Sequence, residues 1–255
     1  MKYIKYFKWL LESQLGIDFI RLIRFIKNYP RFLYQYFTIR RLHKVKTSLK
    51  PCLHDSADYA SSQLAEYFYQ DLFVAQKVFK ENPKTLADVG SRVDGYVSNV
   101  ASFREITVID IRKLPNNISN VKYLEQDITK NIESSKSFDM VTCLHALEHF
   151  GLGRYGDPII DNAVELGIKG LTSLLKNDGK LIISTPTGKE RIEFNANWVF
   201  DAKKLCNIFD SLALELRNIY QFNPINKAFD IVDINNINHM SNIEYALTIF
   251  ELYKK

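Results

Sequence analysis

The chain has 255 residues, 46% hydrophobic and 25% charged, which suits a globular protein with a sizeable core and argues against a disordered or fibrous one. Its net charge of +5 is uneven: the first fifty residues hold twelve Lys/Arg against Glu12 and Asp18, so they carry +10 and the remainder −5. Cys52, Cys143 and Cys206 are widely spaced with no CxxC pair, which argues against a disulfide framework or a structural zinc site and for a reducing compartment.

Residues 1–50 alternate apolar and basic residues at helical spacing. Phe19, Ile20, Leu22, Ile23 and Ile26 form one face, with Arg21, Arg24 and Lys27 beside or opposite it. Tyr29-Pro30 predicts an interruption, because the residue before proline is pushed out of the α region, and a second helix follows from Arg31 to about Lys46. No run approaches the ~20 apolar residues of a membrane span, and the first residues lack the pattern of a signal peptide. The expectation is a cytoplasmic protein, peripheral to a membrane.

Lys50-Pro51 marks a boundary. A further helical pattern runs from about Ser56 to Lys80, stepping through Leu64, Phe68, Leu72, Ala75 and Phe79, and Asn82-Pro83 stops it. From Lys84 onward, TLADVG, EITVIDI, VKYLEQDI, FDMVTCLHAL and KLIISTP read as short buried strands. The stretches between them are long enough for crossover helices, for example over 157–176. That alternation predicts a parallel sheet with helices on both faces. LALELRNIYQF and EYALTIFELYK read as two more strands, and the polar, Asn-rich 223–240 between them as a loop. The expected division is a basic, aromatic-rich helical segment over 1–50, a linking helix within 51–82, and an α/β domain over 83–255.

Chemistry concentrates after the strand ends. LADVGSRVDG (86–95) places Gly90 where the first strand stops, so backbone can approach a ligand beyond the sheet; an ordinary turn is the alternative. Asp110 ends the second strand 22 positions after Asp88, where an acid accepts hydrogen bonds from ribose hydroxyls or merely caps a turn. Asp127, followed by Ile128, has the chemistry to take an adenine amino group while its neighbour packs on the ring, or to be a solvated loop acid. His145 and His149 lie four apart with Glu148 between them and share a face if helical. Either suits a general base near neutral pH. Zinc would need a third protein ligand. Arg154, Tyr155 and Asp157, in a glycine-flanked loop, reach the same cleft or form a structured turn. Asn195, Asn197 and Trp198 suit a polyhydroxylated ligand or an ordinary loop, and Gln70 and Asp71 line the mouth from the preceding helix.

Taken together, these segments resemble the class I S-adenosylmethionine (SAM) methyltransferases over about residues 83–255. DVG follows the first strand, an acid the second and an acid–apolar pair the third, with FDMVTCLHALEH and DGKLIIS for the fourth and fifth. The resemblance implies a Rossmann-like, seven-stranded, mostly parallel sheet with an antiparallel C-terminal strand, preceded by N-terminal helices. It implies that SAM is held by Asp88, Gly90, Ser91, Arg92, Asp110, Ile111, Asp127, Ile128 and His145. His145 or His149 would be the base, with Asp157 as alternative; Gln70, Asp71, Arg154, Tyr155, Asn195 and Asn197 would contact the acceptor. Arg92 departs from the usual glycine-rich turn and either suits the cofactor's carboxylate or obstructs the pocket.

YFYQDLFVAQKVF, DVGSRVDG and EHFGLGRYGDP resemble more closely an uncharacterised, largely bacterial family of this superfamily, a domain of unknown function. Its association with surface-polysaccharide synthesis implies O-methylation of a sugar or glycan intermediate. A different class of function is a non-catalytic binding or scaffold module in a glycan-assembly complex. The basic, aromatic residues 1–50 suit an anionic membrane surface, or simply cover the core or a second subunit. The acidic remainder argues against a nucleic-acid track.

Overall fold

The computed structural model describes residues 2–42, 65–114, 117–130, 138–153, 155, 157–193 and 196–255; Cys52, Arg154, Asn195 and the helix start expected at Ser56–Leu64 lie outside them. The chain divides into two compact units, residues 1–63 and 64–255.

The first unit holds α1 (Lys2–Gln14) and α2 (Phe19–Leu42). Asp18 caps α2, its carboxylate accepting the backbone amides of Ile20 and Arg21 at 2.9 and 3.0 Å. The interruption expected at Tyr29-Pro30 is corrected: Pro30 lies inside a continuous helix. Proline removes one backbone hydrogen bond and crowds one carbonyl, and the helical turns on both sides of it carry α2 across. Phe19, Ile20, Leu22, Ile23 and Ile26 are exposed on α2. No described helix is long and apolar enough to cross a membrane.

The second unit begins with α3 (Glu66–Glu81). It ends where expected: Asn82 turns left-handed (φ 44°) and donates its amide to the Val78 carbonyl. Then come β1 (Leu86–Val89), the short α4 (Ser98–Ala101), β2 (Ile106–Asp110), β3 (Val121–Glu125) and β4 (Phe138–Leu144). α5 (Ala163–Leu174) runs directly into β5 (Leu175–Thr187) and starts later than the 157–176 reading. β6 (Arg191–Glu193), β7 (Asn197–Val199), α6 (Ala202–Ser211), β8 (Leu214–Asn223), β9 (Ala228–Val232), α7 (Ile237–Met240) and β10 (Ala246–Lys254) complete the order.

The sheet has eight strands in the order β3-β2-β1-β4-β5-β10-β8-β9. β1 to β5 pair in parallel, whereas β10 runs antiparallel to both β5 and β8. The expected seven strands are thus corrected to eight. The extra one, β9, lies in the Asn-rich stretch read as a loop, where a turn with Lys227 at φ 58° folds it back on β8. Phe229 anchors it, its ring centroid 5.0 Å from that of Phe73 and 5.4 Å from that of Phe222. β6 and β7 form a separate two-stranded pair.

Alternation along the strands sends side chains to opposite faces. Ala87, Ile109, Val141 and Ile183 pack with Ile168 and Leu171 of α5 and Leu205 and Phe209 of α6. Leu86, Val108, Met140 and Ile182 pack on the other face with Val74 and Val78 of α3 and with Tyr96, Val97 and Val100. α5 comes so close that a Cβ on Gly170 would lie 2.1 Å from the Ile128 carbonyl oxygen. The strand order reverses around β1, with β2 on one side and β4 on the other, which opens a crevice beyond their carboxyl ends.

Candidate functional site

That crevice is a cleft of about 350 Å³, within the range of small-molecule sites. Of the residues singled out from sequence, Gln70, Asp71, Gly90, Arg92, Asp110, Ile111, Asp127, Ile128, His145, His149, Tyr155, Asp157 and Asn197 all line it. Asp88 and Ser91 are buried and are not among its lining residues.

The floor is built by the β1 turn. Gly90 takes φ +73°, and a Cβ there would meet the Ala146 Cβ at 2.8 Å, so the turn admits only glycine without strain. Beneath it the fully buried Asp88 carboxylate accepts the Ser91 hydroxyl (2.6 Å), the Ser91 amide (3.1 Å) and the Thr142 hydroxyl (2.7 Å). The Ser91 hydroxyl in turn accepts the Leu144 amide. Asp88 thus ties the β1 turn to β4. Burial pushes its carboxyl up to about 7, against the opposing hydrogen bonds of Ser91 and Thr142.

A raised acid pKa means the folded chain holds a proton that the unfolded chain releases, so stability falls as pH rises from about 4 to 7, by at most about 4 kcal/mol. Asp88→Asn is expected to lose this fall. It should be less stable than wild type near pH 4, where one acceptor is missing, and more stable near pH 8. Urea unfolding across that range checks this; parallel stability curves would refute it.

Two more carboxylates face the cleft from the strand ends. Asp110, at the tip of β2, accepts the Arg112 amide at 2.8 Å and its guanidinium at 2.9 and 2.6 Å. The Arg112 guanidinium lies 4.7 Å from the Tyr155 ring centroid. Asp127 accepts the Thr129 amide (3.0 Å) and hydroxyl (2.6 Å). Burial pushes its carboxyl up, but these bonds and Lys130 outweigh that and hold it below the ordinary range. At the α3 side, Gln70 bridges the Ser184 hydroxyl and the Asp71 carboxylate. Burial raises the Asp71 carboxyl above its ordinary value, partly offset by Gln70, Arg92 and His145. Arg92 lines the cleft with its guanidinium leaning on Asp94 at 2.8 Å.

The histidines do not share a helical face, which corrects that expectation. His145 follows β4 in a left-handed conformation (φ 50°), with only a single helical turn, Leu147–His149, after it. Its amide donates to the Ser184 carbonyl at 2.9 Å. Its Nδ1 lies 2.6 Å from Glu148 Oε1, and the Tyr67 ring meets it edge-on at 4.3 Å between centroids. His145 Nε2 is buried and has no hydrogen-bond partner. His149 places Nδ1 2.8 Å from the Ala196 carbonyl oxygen. Asp157 accepts the backbone amides of Gly151, Gly153 and Tyr155 at 3.0, 3.2 and 3.1 Å; its carboxylate staples the loop, which leaves the histidines better placed to take a proton. Among the described residues, no three His, Cys, Asp or Glu side chains converge on a metal position.

The structure adds Tyr67, Arg112, Glu148, Glu193 and Tyr245 to the lining. Glu148 stood between the two histidines, and Arg112 two residues past Asp110, so both were within local view. Tyr245 comes from the segment before β10, a hundred residues from His145, and no local pattern points to it.

The family described as Caenorhabditis protein of unknown function, DUF268, matches residues 98–247. That span includes EHFGLGRYGDP, while DVGSRVDG and the α3 string lie before it. No curated protein matches the sequence. The 1,6-didemethyltoxoflavin-N1-methyltransferase of Burkholderia thailandensis, solved with 1,6-didemethyltoxoflavin and S-adenosylhomocysteine, is similar in structure. Its TM-score is 0.52 at 11% identity, over 90% of this chain and 90% of that one. The N-methyltransferase NodS of Bradyrhizobium japonicum WM9, in complex with S-adenosylhomocysteine, gives 0.50 at 13% identity, over 86% and 97%. The sheet and its flanking helices are those of these methyltransferases.

Proposed function

We propose that this chain, which belongs to the DUF268 family of unknown function, transfers a methyl group from SAM to a hydroxyl of a sugar or glycan intermediate. The observation that carries the reading is one cleft bordered by a Gly90 turn free of side chain, two strand-end carboxylates and a histidine with an unpartnered ring nitrogen.

The lining fits the cofactor piece by piece. Asp110 would accept the ribose hydroxyls, Asp127 the adenine amino group, with Ile111 and Ile128 against the ring. Gly90 would admit the methionine part close to the backbone, with Asp71 and Arg92 lining the cleft to meet its charged groups. When bound, SAM supplies a methyl group activated by its sulfonium charge. The chain's own task is to hold an acceptor in line with that methyl and to remove its proton. His145 and His149, which line the cleft, are the candidates for the second task. Tyr155 and Asn197 offer an aromatic face and an amide to a polyhydroxylated acceptor.

Isothermal titration of the purified protein with SAM and S-adenosylhomocysteine tests this. Micromolar binding is expected, weakened about 10- to 100-fold in Asp110→Ala, the loss of hydrogen bonds to a charged group. A folded protein that binds neither would overturn the reading and favour the scaffold alternative, in which the fold is kept without the chemistry.

A further inference from the structure

We infer that Glu148 is a positioning residue of this site: it fixes the proton of the His145 ring on Nδ1, leaves the lone pair on Nε2, and balances the charge when Nε2 takes a proton. The last step rests on the methyl-transfer reading above; the pairing does not.

Glu148 is 1% exposed, and its near oxygen lies 2.6 Å from His145 Nδ1. A carboxylate only accepts hydrogen bonds, so that contact requires a proton on Nδ1, and the neutral ring then carries its lone pair on Nε2. The other Glu148 oxygen accepts the Thr185 hydroxyl at 3.3 Å, which ties the carboxylate to β5. The histidine is held at its backbone as well, by its amide on Ser184 and its left-handed turn, and its ring by the edge of Tyr67. The ring nitrogen that this leaves is the one without a partner.

His149 has a comparable geometry but a weaker one. Its Nδ1 lies against the Ala196 carbonyl, which sets a tautomer but carries no net charge to stabilise an imidazolium. A buried carboxylate does both. In the reaction, the acceptor's hydroxyl proton passes to Nε2 and the oxygen's electron pair forms the new oxygen–methyl bond. The methyl–sulfur bond breaks with its pair left on sulfur, and the imidazolium faces Glu148 until it releases the proton to solvent.

The test is nitrogen NMR of the full chain labelled in histidine, with His145 assigned by its loss in His145→Ala. At about pH 9, well above the ordinary imidazole range, wild type is expected to show the proton on Nδ1. Glu148→Leu, which removes the acceptor, is expected to lose that fixed tautomer, whereas Glu148→Gln, which keeps a carbonyl acceptor, is expected to keep it and lose the charge. The glutamine variant's kcat should fall about a hundredfold with the KM for SAM within about threefold of wild type. A proton on Nε2 in wild type, an unchanged tautomer in Glu148→Leu, or unchanged turnover in Glu148→Gln would overturn the inference. If neither variant folds, the wild-type spectrum alone decides. The expected tautomer in a protein that binds no SAM supports the pairing and removes only the methyl-transfer reading.

Discussion

If the chain transfers a methyl group as proposed, His145→Ala is expected to lower turnover by about 10²- to 10⁴-fold, the usual contribution of a positioned general base. Its affinity for SAM should stay within about threefold of wild type. The separation follows from the geometry. The Gly90 turn, Asp110 and Asp127 make their contacts without His145, so removing the ring leaves their hydrogen bonds in place. His149→Ala should lose less, because the Ala196 carbonyl cannot offset an imidazolium charge. Single-turnover rates on saturating SAM, read beside titrated affinities, check both. Full turnover in His145→Ala would remove this residue from the chemistry. A parallel collapse of affinity and rate would make it part of the cofactor's binding surface instead.

Gly170→Ala is expected to destabilise the second unit by about 1–3 kcal/mol, the cost of overpacking a close contact. That lowers the melting temperature by roughly 2–12 °C for a unit of this size. The sign is opposite to the ordinary rule. In an exposed helix interior, alanine is better than glycine by about 1 kcal/mol. Here a methyl would stand 2.1 Å from the Ile128 carbonyl oxygen and 3.2 Å from its Cβ. A backbone carbonyl cannot rotate away, so α5 or the segment after β3 must shift. Ile128 and Asp127 lie on that segment and line the cleft, so the variant should also bind SAM more weakly than its stability loss explains. A thermal melt at or above that of wild type would refute the close-contact argument.

The strands were legible because their apolar runs are short and bounded by Gly, Pro, Asn or Asp, and because β1, β2, β4 and β5 are buried on both faces. The strand-end residues Gly90, Asp110 and Asp127 were legible for the same reason: once a strand's end is located, the residues at it and just beyond it sit at the crevice. The sequence hid features that depend on distant partners. β9 reads as loop because the stretch around it, 223–240, is rich in Asn; its pairing with β8 and the contact of Phe229 with Phe73 across the fold are not visible locally. Pro30 predicted a break by local sterics, and the helix continues through it. Spacing suggested that His145 and His149 share a helical face. A left-handed turn at His145 breaks that periodicity, and the four-residue interval then says nothing about direction. Asp88 reads as a strand-end acid facing a ligand; its three donors come from Ser91 and from Thr142, the latter 54 residues away.

The placement of β10 has a consequence for how the sheet is assembled. It is the last strand in chain order, yet it lies between β5 and β8. Within the sheet, the β8–β9 hairpin is joined to the parallel half through β10 alone. Until Ala246–Lys254 are in place, two neighbouring strands present bare edges, each a template for pairing with another chain. The partners are also far apart in sequence: Leu252 pairs with Leu181 on one side and Leu216 on the other. Closing such long loops before any contact rewards them slows folding. The final nine-residue strand is therefore the keystone of the sheet, and aggregation competes with folding in the interval before it is set.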